Sequence, residues 1–128
     1  MKLLIPLLLL PLLLAGCSAA PAPAGAYRRI TPDEARMLMS TVPDHVILDV
    51  RTPEEYRERH IPHALNVPNE TIGASAIPAL PNQDQLILVY CRSGNRSRQA
   101  AGKLAKLGYT NVVEFGGINS WPGETVTE

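Results

Sequence analysis

The chain has 128 residues, of which 45% are hydrophobic and 19% are charged, and its formal net charge is zero. This length suits one domain with a modest core. The charge balance excludes a bulk basic field for nucleic acid and a bulk acidic one. With one Trp, four Tyr and one Phe, the chain has few of the aromatic side chains that single-strand nucleic-acid binders stack on bases, which disfavours that class of protein.

The first residues predict a secretory signal peptide rather than a folded element. Lys2 gives a minimal positive end, and an apolar run follows over residues 3–14, interrupted by Pro6 and Pro11. The run is shorter than the roughly 20 apolar residues that cross a bilayer, and two prolines disfavour a core helix. It ends in Leu14-Ala15-Gly16-Cys17, which resembles the lipobox of bacterial lipoproteins.

This resemblance implies cleavage before Cys17 and lipidation of its thiol; an ordinary secretory signal with a chance cysteine is the alternative. We therefore expect a signal peptide at 1–16, lipidated Cys17 with a Pro/Ala linker at 17–26, and a domain at 27–128. Acyl chains would hold the protein on a membrane of the bacterial cell envelope, outside the cytoplasm. Ser18 after Cys17 favours the periplasmic side of the outer membrane.

Helical and strand patterns alternate from Tyr27 onward. Predicted strands lie at 28–30, 46–50, 64–67, 86–90 and 112–115, and predicted helices at 32–40, 53–59, 70–80 and 97–107. Thr31 and Glu34 predict a capping box, and Gly108 predicts a helix end. The charges over 53–59 predict a solvated face with Glu54–Arg57 and Glu55–Arg59 pairs.

This alternation predicts an α/β domain with a mostly parallel sheet of about five strands flanked by helices. In such sheets ligands bind beyond the carboxyl ends of the strands. Both Asp49 to Arg51 and the segment that begins at Cys91 follow strand ends, so both are expected on that rim.

The segment that begins at Cys91 carries the clearest chemical signal. Backbone amides of a tight turn between a strand and a helix converge on a group placed there and form an anion nest. Gly94 tolerates the dihedral angles of such a turn, and Arg92 and Arg96 add full positive charges. These features lower the pKa of a thiol, and the thiolate is the nucleophile. The alternative is a buried core cysteine followed by a surface turn.

Five motifs, taken in order, resemble the rhodanese (thiosulfate sulfurtransferase) family. They are Asp49-Val50-Arg51-Thr52-Pro53-Glu54-Glu55-Tyr56, His60-Ile61-Pro62, Ala64-Leu65-Asn66-Val67-Pro68, Tyr90-Cys91-Arg92-Ser93-Gly94-Asn95-Arg96-Ser97, and Gly116-Gly117-Ile118-Asn119-Ser120-Trp121. The resemblance implies a small rhodanese-like parallel sheet flanked by helices. It also implies that Cys91 carries sulfur as a persulfide.

The resemblance assigns roles to particular residues of this chain. It implies that Cys91 is the nucleophile and that Arg92, Ser93, Gly94, Asn95, Arg96 and Ser97 form the loop that cradles it. Arg51 is expected to meet an anionic donor, with a surface ion pair as its alternative, and Asp49 to brace the loops by hydrogen bonds. His60 matches a position that we interpret as structural.

The predicted activity is sulfur transfer from thiosulfate or a similar donor to a thiol or cyanide acceptor. No metal, organic cofactor or nucleic-acid partner is expected, and His60 with His63 would make a poor metal site. Three alternatives remain: a non-catalytic binding module, a cysteine-dependent phosphatase, and a redox thiol that forms mixed disulfides. Four residues separate Cys91 from Arg96 rather than the five of the related phosphatases, which favours sulfur over phosphate.

The sequence departs from the family around His60. The family usually has glycine before this histidine and after the following proline, whereas this chain has Arg59 and His63. The backbone of this segment is therefore expected to differ locally from that of its relatives.

Overall fold

The computed structural model describes residues 26–128, so the predicted signal peptide, Cys17 and nearly all of the linker lie outside the described residues. Within residues 26–128, no helix has both the length and the apolar character needed to cross a bilayer.

The core element is one sheet of five parallel strands in the order β1-β5-β4-β2-β3. The strands are β1 (Arg28–Arg29), β2 (His45–Asp49), β3 (Leu65–Asn66), β4 (Leu86–Cys91) and β5 (Val112–Gly117). The helices are α1 (Pro32–Thr41), α2 (Pro53–Glu58) and α3 (Asn95–Lys106), with 3₁₀ turns at Asn69–Thr71 and Ile118–Ser120. The predicted α/β fold is thereby confirmed.

The central strand β4 separates two apolar clusters. All six of its residues are buried, as expected for a strand covered on both faces. Because side chains alternate along a strand, Val89 and Cys91 face the cluster that contains α3, and Tyr90 faces the cluster that contains α1. Cys91 therefore lies at the carboxyl end of the sheet, on the side of α3.

Local sequence signals set the helix starts. Thr31 caps α1 by accepting a hydrogen bond from the Glu34 amide at 3.1 Å. The Glu34 carboxylate accepts from the Thr31 hydroxyl and not from the Thr31 amide, so the predicted capping box does not close. Thr52 and Glu55 form a complete capping box at α2. Both α1 and α2 also have proline at their first position, where no amide donor is needed.

Two predicted elements differ from the structure. The helix expected over 70–80 is wrong: only the 3₁₀ turn Asn69–Thr71 forms there. Gly73 disfavours a helix and Pro78 cannot donate within one, so the segment runs on as irregular chain. Helix α3 begins at Asn95, two residues earlier than predicted, because Gly94 at φ 116° turns the chain directly into it.

Candidate active site

Cys91 is the last residue of β4, and its thiol is 1% exposed. The chain then turns through Arg92 and Ser93 into α3, so that the amide of Gly94 lies 2.9 Å from Cys91 Sγ. The Ser97 Oγ atom, one turn into the helix, lies 3.3 Å from the same sulfur. The strand, the turn and the helix start thus surround a single sulfur atom, as the motif predicts.

Hydrogen bonds favour the ionised form of this thiol. Burial alone raises the pKa of Cys91, because a charged sulfur loses its hydration. The contact with the Ser97 side chain and the hydrogen bonds from the backbone amides of Ser97, Gly94 and Ser93 oppose burial and outweigh it. The pKa of Cys91 is therefore lowered, in the direction that the sequence predicts.

The loop residues divide into an inner and an outer set. Gly94 and Ser97 are buried against the sulfur, whereas Arg92, Ser93 and Asn95 are exposed. Asn95 accepts a hydrogen bond from Arg98 at 2.6 Å, away from the sulfur. Among residues 26–128, the Arg92 guanidinium has no ion-pair partner, which leaves its charge free at the rim of the loop.

Arg96 forms an ion pair with Glu55, for which the sequence predicted Arg59 as the partner. Its guanidinium donates to both carboxylate oxygens of Glu55, at 2.6 and 3.0 Å. The hydrogen bond from Arg96 lowers the pKa of Glu55 to about 2. The predicted Glu55–Arg59 pair is wrong, because Glu55 reaches across to α3 instead of along its own helix.

Asp49 and Arg51 form a buried unit beside the site. Arg51 donates to both Asp49 oxygens, at 2.7–3.1 Å, and to the Arg59 carbonyl at 2.5 Å. Tyr90 donates to the same carboxylate at 2.7 Å and accepts from the Ile61 amide. Asp49 thus links Arg51 to Tyr90, and its role in bracing the loops stays a prediction.

The Arg51 charge is largely compensated by its partner. Arg51 is only 4% exposed, although it lines a cavity of about 140 Å³ together with Arg92 and Asn119. The structure therefore brings Arg51 near the loop while engaging most of its donors with protein oxygens. The exposed Arg92 is better placed to meet an anion in solution.

Of the two positions around His60 that depart from the family pattern, one has a backbone conformation that favours glycine. His63 adopts φ 68°, a left-handed conformation that a side chain disfavours. Arg59 is in ordinary extended conformation. His60 is buried, stacks on Tyr56 at 3.8 Å and contacts the Tyr56 carbonyl, which fits the structural role predicted for it. No group of three or more metal-ligating side chains occurs within residues 26–128.

Sequence reasoning missed Glu114 behind the loop, and it listed Gly117 in a motif without assigning it a role. Glu114, on β5, is 1% exposed and accepts hydrogen bonds from Ser97 Oγ at 2.7 Å and from the Gly116 amide at 2.8 Å. Gly117 pairs with Cys91, and a Cβ atom there would overlap the Arg92 carbonyl. An acid inside an otherwise apolar strand was the available signal for Glu114.

A family model described as a rhodanese-like domain matches residues 31–124. The chain belongs to the rhodanese-like family. This rhodanese-like protein is 37% identical over 71 residues to the thiosulfate sulfurtransferase PspE of Escherichia coli K12, covering 56% of this chain and 68% of that one. It is 32% identical over 105 residues to the thiosulfate sulfurtransferase GlpE of Pseudomonas syringae, covering 78% and 95%.

A solved structure described as a rhodanese with anions, from Escherichia coli, superposes on this rhodanese-like protein with a TM-score of 0.61. The two are 32% identical, and the match covers 66% of this chain and 99% of that one. The predicted family and fold are thus confirmed, and both hold for nearly all of the described domain.

Proposed function

We propose that this protein is a sulfurtransferase that moves a sulfane sulfur from thiosulfate, or a similar small donor, to a thiol or cyanide through a persulfide on Cys91. The relatives named thiosulfate sulfurtransferases support sulfur transfer as the reaction class. The observation that carries the choice of residue is the convergence of the Gly94 amide and the Ser97 hydroxyl on Cys91 Sγ, at 2.9 and 3.3 Å.

The first half of the cycle loads the sulfur. The Cys91 thiolate attacks the outer sulfur of thiosulfate and forms a new S–S bond to it. The original S–S bond of thiosulfate breaks, and its electron pair leaves with sulfite. Loop amides that already face the cysteine sulfur hold the charge of the resulting persulfide without rearrangement. The exposed Arg92 attracts the dianionic donor to the rim.

The second half of the cycle regenerates the Cys91 thiolate. A thiolate or cyanide acceptor attacks the terminal sulfur of the persulfide, and Cys91 departs as a thiolate. Its lowered pKa makes it a good leaving group, since a less basic thiolate leaves faster.

Intact-protein mass spectrometry after incubation with thiosulfate tests this function. We expect a mass gain of one sulfur atom in the wild type and none in Cys91→Ser, with the added mass mapped to the Cys91 peptide. Cyanide should then remove the sulfur and yield thiocyanate. A folded wild type that gains no sulfur but hydrolyses an aryl phosphate would contradict the sulfurtransferase proposal and support the phosphatase alternative. A folded wild type that does neither would also contradict the proposal and favour a binding role.

We also propose that Cys17 anchors the protein by lipid in the bacterial envelope, with the domain outside the cytoplasm and the periplasmic face of the outer membrane as its site. The support is the Leu14-Ala15-Gly16-Cys17 motif directly after the apolar run. Metabolic labelling with a palmitate analogue tests the anchor. Cys17→Ser should lose both the label and its recovery in the membrane fraction, while Cys91→Ser should retain both. A wild type that takes up no label would exclude the anchor.

A further inference from the structure

Four atoms behind the active-site loop lie within hydrogen-bond distance of the Ser97 hydroxyl, which has one proton to donate. Ser97 Oγ carries a single hydrogen, and it lies 2.7 Å from Glu114 Oε1 and 3.3 Å from Cys91 Sγ. The carbonyl oxygens of Gly94 and Gly116 lie at 3.0 and 3.3 Å from the same hydroxyl. A hydroxyl donates most strongly to an ionised oxygen at short range, so Glu114 outcompetes the other acceptors.

We propose that Glu114 is a positioning residue for Cys91: it draws the Ser97 hydroxyl proton to itself, so that Ser97 faces the sulfur as an acceptor and not as a donor. The proposal rests on the proposed role of Cys91 as the nucleophile. The backbone amides of the loop then supply most of the stabilisation of the thiolate, because their N–H groups cannot rotate toward another acceptor as a hydroxyl can.

The surroundings of Glu114 fix its carboxylate in this arrangement. The Gly116 amide donates to Oε1 at 2.8 Å, and Arg29 of β1 lies 3.5 Å from Oε2. Arg98 of α3 lies over Gly94, on the same side as Glu114, and Glu34 of α1 lines the adjoining cleft of about 450 Å³. The carboxylate itself is 2% exposed, so water does not compete for the Ser97 proton.

This arrangement has a chemical consequence for the nucleophile. A thiolate that receives one hydrogen bond fewer is more basic. The nucleophilicity of thiolates rises with their basicity, with a Brønsted coefficient of about 0.4–0.5. Glu114 thereby keeps the ionised sulfur reactive while the amide nest still makes ionisation easier.

The pH dependence of alkylation of Cys91 by iodoacetamide tests the proposal, followed by mass spectrometry on the Cys91 peptide of the full chain. This readout reports the thiolate whether or not the protein transfers sulfur, so its failure is distinct from failure of the proposed function. In Glu114→Gln the oxygen that faces both the Ser97 hydroxyl and the Gly116 amide becomes a neutral carbonyl oxygen. A neutral oxygen is a weaker acceptor than a thiolate, so the Ser97 proton turns to the sulfur. We expect the alkylation midpoint to fall by about one pH unit.

At a pH above both midpoints, loading from thiosulfate should be about threefold slower in Glu114→Gln than in wild type. A midpoint change of about one pH unit, multiplied by the Brønsted coefficient, gives this change in the logarithm of the rate. The control is Glu34→Gln, which makes the same charge change in the same cleft without touching Ser97 and should leave the midpoint in place. A Glu114→Gln midpoint that is unchanged or raised would overturn the proposal.

Ser97→Ala shows whether Glu114 acts on Cys91 through the orientation of the Ser97 hydroxyl or only through its negative charge. In that background Glu114→Gln should shift the midpoint clearly less than in the wild type, and an equal shift in both backgrounds would reduce Glu114 to a distant charge and overturn the proposal. Ser97→Ala alone also tests it should Glu114→Gln fail to fold. We expect a midpoint within about half a unit of wild type, whereas a rise of about one unit would mean that Ser97 donates to the sulfur despite Glu114.

Discussion

Arg96 and Glu55 join α3 to α2 across the cysteine loop through a two-point ion pair, with Nη1–Oε1 at 2.6 Å and Nη2–Oε2 at 3.0 Å. The pair neutralises one of the two loop arginines and leaves Arg92 as the unpaired one. It also ties the start of α3 to the capping box of α2, because Glu55 serves both. This contact therefore influences both donor binding and stability.

Removing the Glu55 charge should strengthen binding of an anionic donor. Glu55→Gln keeps a side chain suited to the capping box but frees the Arg96 charge. We expect the KM for thiosulfate to fall about two- to fivefold at low ionic strength, and the gain to shrink in high salt. Steady-state thiocyanate formation measures it. Glu54→Gln removes an exposed acid from the same helix, and equal KM changes in both variants would show that Arg96 plays no specific part.

The same pair predicts an acid-dependent loss of stability. The pKa of Glu55 is lowered from 4.5 to about 2, so the pair stabilises the fold fully above about pH 5. That contribution is lost as the pH falls from about 5 to about 2. Since both side chains are partly exposed, we expect about 1 kcal/mol or less. Urea unfolding across this range should show a shallower decline in Glu55→Gln than in wild type; parallel declines would contradict it.

Gly117 should tolerate no side chain. A Cβ there would overlap the backbone carbonyl of Arg92 and push the cysteine loop away from β5. We expect Gly117→Ala to lower the rate of persulfide loading at least about tenfold, since a displacement of about 1 Å can cost about 10²-fold. Gly73→Ala is the control, because its Cβ would meet no atom within 4 Å. Normal loading by Gly117→Ala would refute the packing argument.

The left-handed residue His63 should be a site of strain. A side chain at φ 68° destabilises the folded state by about 1–2 kcal/mol. Glycine removes this strain but also makes the unfolded chain more flexible, so the net gain in stability is smaller. We expect His63→Gly to raise the free energy of unfolding by about 0.5–1 kcal/mol in urea titrations. His63→Ala keeps the strained backbone and should give no gain. A stabilised alanine variant would point to the imidazole itself as the source of strain.

The sequence by itself determined the family, the parallel sheet and the identity of the loop around Cys91. These follow from local signals: apolar β-branched runs form the buried strands, Thr-Pro pairs start helices, and Gly94 permits the turn that aims amides at the sulfur. The contact of Asp49 with Arg51 is also local, because the two residues are two positions apart in the chain, although the sequence predicted hydrogen bonds from Asp49 without naming Arg51 as the partner.

The tertiary structure decided which charged groups are free and which are paired. Glu55 and Arg96 are 41 residues apart, and Glu114 and Ser97 are 17 apart, on elements that meet only when the sheet is assembled. Helical spacing favoured Glu55–Arg59, but the Arg96 guanidinium meets both oxygens of the carboxylate, a stronger arrangement than an exposed pair along one helix. Long-range packing, which no local pattern encodes, therefore determines the electrostatics around the cysteine.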